Sequence, residues 1–258
     1  MSSQVQILGC SGGIGGDLRT TSLLLDDDIL IDAGTGVCDL SLDAMAKIDW
    51  VFLTHSHLDH ILSLPLLLDS VGAKRSKPVH VYGLPETVST LKQHIFNGKI
   101  WPDFSVIPTA EKPFMIMSTL NTGDVIQVGT RSIKALPAEH SVAGVGYAIS
   151  AGESTIAFTG DSGPCPDFWA EVQKIEKLKH LLIETSFTDN DQFLAEVSQH
   201  YCPATLAEAM MPVHPDTQIW ISHLKPGQGD QIMAELNALD RLGRVKPQAL
   251  VKGQVFHL

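Results

Sequence analysis

"THSHLDH", residues 54–60, places three histidines and an aspartate in seven positions of a chain that has 11 histidines among 258 residues. Imidazoles repel one another when charged and are costly to bury without partners, so such crowding calls for a compensating ligand. A metal ion is the ligand this donor set suits. On a helix His55 and His57 would lie about 200° apart, so they can turn to one ion only where the chain is a loop. The apolar run "WVFLT" (50–54) ends at that point, as a strand giving way to a loop would. Asp59 and His60 then open the next helix, and one loop can offer two donor pairs to two adjacent metal positions.

Working outward from this loop, short apolar runs bounded by turn residues read as strands: 5–9, 21–26, 28–34, 49–55 and 79–84 in the first half, and 124–129, 132–140, 146–152, 155–161, 180–186 and 218–223 in the second. Helical patterns fall at 60–71, where Pro65 should kink the helix or sit at one end, and at 85–96, which starts with a proline. Further helices are expected at 168–179, 203–213 and 229–243, the last closed by Gly243. Two β-rich halves, each ending in helices, make an α/β sandwich of sheets with helices outside, over residues 1–258 as one domain.

A catalytic zinc site uses three or four protein ligands and leaves a position for water. Further donors are therefore expected at other strand ends. His140 closes "SIKALPAEH", Asp161 lies in "FTGDSG" and His223 closes "IWISH"; each follows an apolar run and precedes a turn.

The charge balance narrows the partners. With 18 Lys and Arg against 29 Asp and Glu, the formal net charge is −11, which disfavours a large polyanionic nucleic acid. A small anion remains compatible, because bound dications reverse the local sign. The four cysteines form no CxxC pair, as expected for reduced thiols. The opening "MSSQVQILGCSGG" has no signal-peptide pattern, and no run approaches the ~20 apolar residues of a membrane span. The expectation is a cytoplasmic protein without membrane contact, and a homodimer is compatible with it.

Taken together, "HSHLDH", His140, "GDSG" and "SHLKP" resemble the metallo-β-lactamase superfamily, and the likeness runs along nearly the whole chain. The resemblance implies a four-layer αββα sandwich with a dinuclear metal site at one sheet edge. It also implies that His55, His57 and His140 bind one ion, that Asp59, His60 and His223 bind the other, and that Asp161 bridges them. The ions are two divalent cations, zinc by first choice, with manganese or iron accepted by the same N/O donors. Asp32 is expected to support the metal loop.

Within the superfamily, "VYGLPETVSTLKQHIFNGKIWPDF" (81–104) and "LLIETSF" (181–187) resemble the class II cyclic nucleotide phosphodiesterases. That likeness implies a small-molecule partner, cyclic AMP or cyclic GMP, opened to the 5′-nucleotide through a metal-bridging hydroxide. Two metals can stabilise the charge that develops on the phosphoryl and leaving oxygens. The leaving 3′ oxygen needs a proton. His200 oriented by Glu184 is one candidate donor, an arrangement that also resembles ribonuclease Z, and Asp59 is another. Lys225 for a phosphate oxygen, Trp101 for stacking on a base and Asn97 complete the substrate-side candidates. The rival readings are a tRNA 3′-processing nuclease of ribonuclease Z type and a lactonase or thioesterase of the same fold. The glycine-rich "CSGGIGG" (10–16) lacks a following Lys-Ser/Thr and reads as a turn shaping the pocket, not a phosphate loop.

Overall fold

The computed structural model describes residues 3–239 and 246–258, so Gly243, the expected close of the last helix, lies outside the described residues. Two seven-stranded sheets carry the fold. The first begins with β1 (Gln4–Gly9), β2 (Ser22–Leu25), β3 (Ile29–Ile31), β4 (Trp50–Phe52) and β5 (Val79–Gly83). A separate hairpin of β6 (Pro108–Thr109) and β7 (Lys112–Pro113) precedes β8 (Met115–Thr119), which lies beside β5. The second sheet takes β9 (Val125–Val128), β10 (Arg131–Pro137), β11 (Val145–Ala151) and β12 (Ser154–Phe158). It continues with β13 (Leu178–Glu184), β14 (Gln218–Ser222) and β15 (Gln248–Ala249). The last strand, β16 (Val255–His257), returns to the first sheet and pairs antiparallel with β1.

Neighbouring strands run parallel from β3 through β4 and β5 to β8, and again from β12 to β15. Parallel neighbours need crossover segments, and these place helices on the outer faces. The first half supplies α1 (Leu42–Met45), α2 (Leu58–Ile61), α3 (Ser63–Val71) and α4 (Pro85–Thr90). The second supplies α5 (Pro166–Val172), α6 (Gln192–Ser198), α7 (Pro203–Ala209) and α8 (Gly229–Ala238).

The two-residue period of a strand sorts its side chains between layers. Leu23, Leu25, Ile29, Ile31 and Phe52 point between the sheets and meet Ile133, Tyr147, Ile149, Ile156 and Phe158 from the second sheet. Leu24, Leu30 and Val51 point the other way, onto Leu64, Leu67 and Leu68 of α3. On the far side, Phe168 and Trp169 of α5, Leu206 of α7 and Ile232 and Leu236 of α8 cover the second sheet. The layers are helix, sheet, sheet, helix: the αββα sandwich. Because both faces of each sheet are covered, the strands read as nearly continuous apolar runs. Each such side chain contributes about 1.5–3 kcal/mol on burial.

Several element boundaries differ from the sequence pattern. The 60–71 helix is two pieces that meet at Leu62, and Pro65 sits in the first turn of α3, where a backbone N–H has no acceptor within that helix. The expected 85–96 helix changes to a π-helical turn over Leu91–Ile95. α5 starts at Pro166 and stops at Val172, and the chain then turns back to begin β13 at buried Leu178. α7 ends at Ala209, and Met210 is already extended. β8 and α6 carry no clean period in the sequence and appear only in the structure. No helix among the described residues is long and apolar enough to cross a membrane.

Candidate metal centre

The donors collect at one edge of the sandwich, where β4, β10, β12 and β14 end. Backbone turns there are tight: Asp32 (φ 58°) and His223 (φ 60°) both take the left-handed conformation one residue past a strand. For non-glycine residues this conformation is costly and marks sites where geometry is imposed by the surroundings. His223 is further fixed by its N–H, which donates to the Cys10 carbonyl (2.7 Å). Gly12 backs directly onto it, since a Cβ there would lie 2.5 Å from the His223 carbonyl oxygen and 2.8 Å from Nδ1. The glycine-rich loop therefore packs against a donor of the cluster.

Two groups of donor atoms converge. His55, His57 and His140 form one; Asp59, His60, Asp161 and His223 form the other, and within each group the atoms lie within 4.8 Å of one another. Asp161 stands between them: its Oδ2 is 3.8 Å from His55 Nε2, 3.3 Å from His60 Nε2 and 3.2 Å from His223 Nε2. His223 Nε2 also faces Asp59 Oδ2 at 3.1 Å. His55 Nε2, His60 Nε2 and Asp161 Oδ1 are buried with no hydrogen-bond partner. Buried polar atoms left without partners are rare in folded proteins, and here all three belong to residues of the two donor sets. Imidazole nitrogens and carboxylate oxygens at these separations fit divalent cations such as zinc.

The outer Nδ1 of His55, His60, His140 and His223 is engaged, whereas His57 Nδ1 faces His140 Nε2 at 3.1 Å. His60 Nδ1–H donates to Asp32 Oδ2 (2.7 Å), and the same carboxylate accepts from the Thr54 N–H (2.7 Å) and hydroxyl (2.8 Å). His140 Nδ1–H donates to the Gln199 carbonyl (3.1 Å), and Gln199 is itself left-handed at φ 54°. His55 Nδ1 meets the Thr54 hydroxyl at 3.0 Å, and His223 Nδ1 meets that of Ser186 at 2.8 Å. Such outer partners hold a ring in one tautomer and orientation, leaving the other nitrogen as an acceptor.

The electrostatics follow from burial and neighbours. Burial holds His55, His57 and His140 below the usual imidazole range. Burial opposes a charge on His60 as well, yet Asp161 and Asp32 hold it well above that range. Asp59 and Asp161 lie below the usual carboxylate range because the facing histidines outweigh their desolvation. Burial raises Asp32 despite its bonds to His60 and Thr54.

Beside the cluster, His200 Nδ1–H donates to Glu184 Oε1 (2.7 Å). Its ring is stacked on that of His223 with centroids 5.3 Å apart, and a ring nitrogen reaches within 4.8 Å of the donor atoms of His140 and Asp161. Burial opposes its charging, but Glu184 raises His200 above the usual range. Lys225 Nζ donates to the Gly12 carbonyl (3.1 Å) and lies 5.7 Å over the Phe187 ring, which in turn contacts His200.

The remaining substrate-side candidates lie elsewhere. Trp101 packs half-buried on the core under α3, and Asn97 spends its amide on its own turn, donating to the Gln93 carbonyl and accepting from Lys99 and Ile100. Among the described residues neither makes a hydrogen bond or ring contact with the donor cluster. Three contributors had no role in the sequence reading: Thr54, Ser186 and Gln199. Ser186 lay inside the quoted "ETSF" run; Gln199 gave no signal, because a left-handed glutamine is not encoded in composition.

With this geometry in place, the comparisons with known proteins agree. The family described as the β-lactamase superfamily domain matches residues 27–240, and the chain belongs to that superfamily, a fold class of metal-dependent hydrolases. Ribonuclease Z of Pyrococcus horikoshii is 39% identical over 84 residues, 31% of this chain; the match spans only 27% of that enzyme's length. A probable 3′,5′-cyclic-nucleotide phosphodiesterase of Yersinia pestis is 23% identical over 282 residues, covering 89% of this chain and 80% of the relative. The crystal structure of unliganded yeast PDE1 superposes with a TM-score of 0.83 at 20% identity, covering 100% of this chain and 99% of that one. At that identity the superposition shows the shared αββα fold.

Proposed function

We propose that this chain is a dinuclear metallohydrolase that opens a 3′,5′-cyclic nucleotide, cyclic AMP or cyclic GMP, to the 5′-nucleotide. The observation that carries the reading is the meeting of two donor sets at Asp161, with the buried His200–Glu184 pair alongside. In this reading His55, His57 and His140 hold one ion, Asp59, His60 and His223 the other, and Asp161 reaches both. Bound there, divalent cations, zinc first, supply Lewis acidity and activate water at neutral pH.

The chain's own residues supply the rest. His200 holds a proton on the ring nitrogen remote from Glu184 and passes it to the 3′ oxygen as the P–O3′ bond breaks. Glu184 fixes the tautomer and favours the charged ring. Asp59, the other candidate donor, is held ionised by His223 and His60, which supports His200 in this role. Lys225 stands near enough to His200 to lower its pKa and offers a cation for a phosphate oxygen. Trp101 and Asn97 are given no part.

A second reading, a tRNA 3′-processing nuclease, is favoured by the 39% identity to ribonuclease Z over its short segment. The net charge of −11 weighs against a grip on tRNA. Protein reconstituted with zinc or manganese is assayed on cyclic AMP, cyclic GMP, a pre-tRNA and a lactone. Cyclic-nucleotide turnover that a chelator abolishes and metal restores is expected. Failure of metal-replete protein to turn over either cyclic nucleotide sinks the substrate assignment, and cleavage of the pre-tRNA instead selects the second reading.

A further inference from the structure

Ser186 is fully buried two residues past the end of β13, and its hydroxyl meets three groups at once. It donates to Glu184 Oε2 at 3.0 Å, lies 2.8 Å from His223 Nδ1 and lies 3.1 Å from His200 Nδ1. Nδ1 of His223 faces away from the cluster, since Nε2 faces Asp59 and Asp161. The donor directions then follow: His223 Nδ1–H donates to Ser186 Oγ, the Ser186 O–H donates to Glu184 Oε2, and His200 Nδ1–H donates to Glu184 Oε1. One carboxylate thus orients His200 directly and His223 through the serine. The two rings are held stacked, 17° from parallel.

We propose that Ser186 is a positioning residue that fixes the tautomer and direction of His223, so that the second ion, and not the first, depends on the Glu184 carboxylate. The proposal rests on the two-ion reading above. His60 Nδ1 is oriented by a carboxylate in direct contact, Asp32; His223 Nδ1 meets the serine hydroxyl instead, which bridges the gap to Glu184. His140 and His55 are oriented instead by the Gln199 carbonyl and the Thr54 hydroxyl, neither of which touches Ser186 or Glu184. Removal of the hydroxyl leaves His223 Nδ1–H and Glu184 Oε2 without a partner, and a ring without its outer partner is a weaker, less directed ligand.

The test measures stepwise zinc affinity by competition with a chromophoric chelator, and the visible spectrum of the cobalt-substituted protein, for wild type, Ser186→Ala and Ser186→Thr. Thr217→Val, which deletes a buried hydroxyl bonded to the Leu178 carbonyl far along the second sheet, serves as the control for general destabilisation. Ser186→Ala is expected to keep the first ion at wild-type affinity, to bind the second roughly 10- to 100-fold more weakly, and to lose the cobalt bands of the second site. Ser186→Thr restores both. Should Ser186→Ala not fold, Ser186→Cys, of similar size with a weak S–H donor, carries the same readout. Unchanged affinity for both ions overturns the proposal, as does an equal loss at both sites matched by Thr217→Val. A wild-type protein that binds no second ion overturns the two-ion reading itself, so the two failures are distinct.

Discussion

The two donor sets differ in how they stand before a cation arrives. His55, His57 and His140 are imidazoles only, and burial keeps them neutral, with lone pairs available. Asp59, His60, Asp161 and His223 mix signs, with His60 held charged and both carboxyls held ionised against the cost of burial. Their supports differ in the same way. A backbone carbonyl and a threonine hydroxyl steady the first set; Asp32 and, through Ser186, Glu184 steady the second. In the proposed two-ion reading a cation would be met in one half by neutral donors whose value is their geometry, and in the other by charge that outer carboxylates direct. Loss of charge should therefore be felt most where Asp161 joins the halves.

Asp161→Ala removes the one carboxylate that faces nitrogens of both sets. It is expected to drop hydrolysis to the uncatalysed background and to lower the content of both ions, read by elemental analysis. Two ions retained at wild-type affinity would erase the distinction between the halves. In the proposed reading His200 is an acid and not a ligand, so His200→Gln is expected to lower kcat about 10²–10⁴-fold with metal content unchanged. Loss of an ion in this variant would move His200 into the second set. Asp32→Asn keeps the shape of the support and removes its charge; the second ion should weaken by roughly 10- to 100-fold while the first is unaffected. Equal weakening of both would show that the loop behaves as a single unit.

The smallest effect separates the titration of the fold from that of the site. His180, between the sheets, accepts from the Trp220 indole N–H (3.3 Å) and packs at a tilt against the Phe256 ring (centroids 4.5 Å). Burial, helped by Lys179, holds it at about 4. Between that value and the ordinary imidazole value near 6.5 the unfolded chain binds a proton that the folded chain does not. Its contribution is complete above about 6.5, falls as the pH drops through this window and levels below about 4. Urea midpoints measured from pH 7 to 4 should fall less steeply for His180→Phe than for wild type. Parallel slopes would assign the acid sensitivity to the donor cluster instead.

Much of the centre was legible because its richest part is contiguous. The loop from His55 to His60 displays its donors in sequence, and the rule of an apolar run followed by a turn located His140, Asp161 and His223 at the ends of other strands. The supporting groups were legible to different degrees. Asp32 was expected near the loop, but the hydrogen bonds it accepts from Thr54 and His60 depend on a left-handed turn that aspartate does not announce. Gln199 caps the C-terminal end of α6, a helix whose exposed Phe193, Leu194 and Val197 blur the apolar period. Trp101 and Asn97 read as substrate contacts beside a family-like segment, yet their side chains close a turn and cover a core.

Residue types and local periods by themselves determined the donor chemistry, the loop that concentrates it and the layered α/β class, because metal preference and strand or helix period are properties of short stretches. Which donor atoms come within reach of one another, which outer atom an imidazole gives to a neighbour, and that Ser186 joins His223 to Glu184 were decided only by the tertiary structure. Asp59 and His223 are 164 positions apart and come within 3.1 Å only because two sheets pack face to face with their strand ends at one edge. Burial at that edge then sets which groups keep their charge, and burial is a property of the packed sandwich, not of any segment of it.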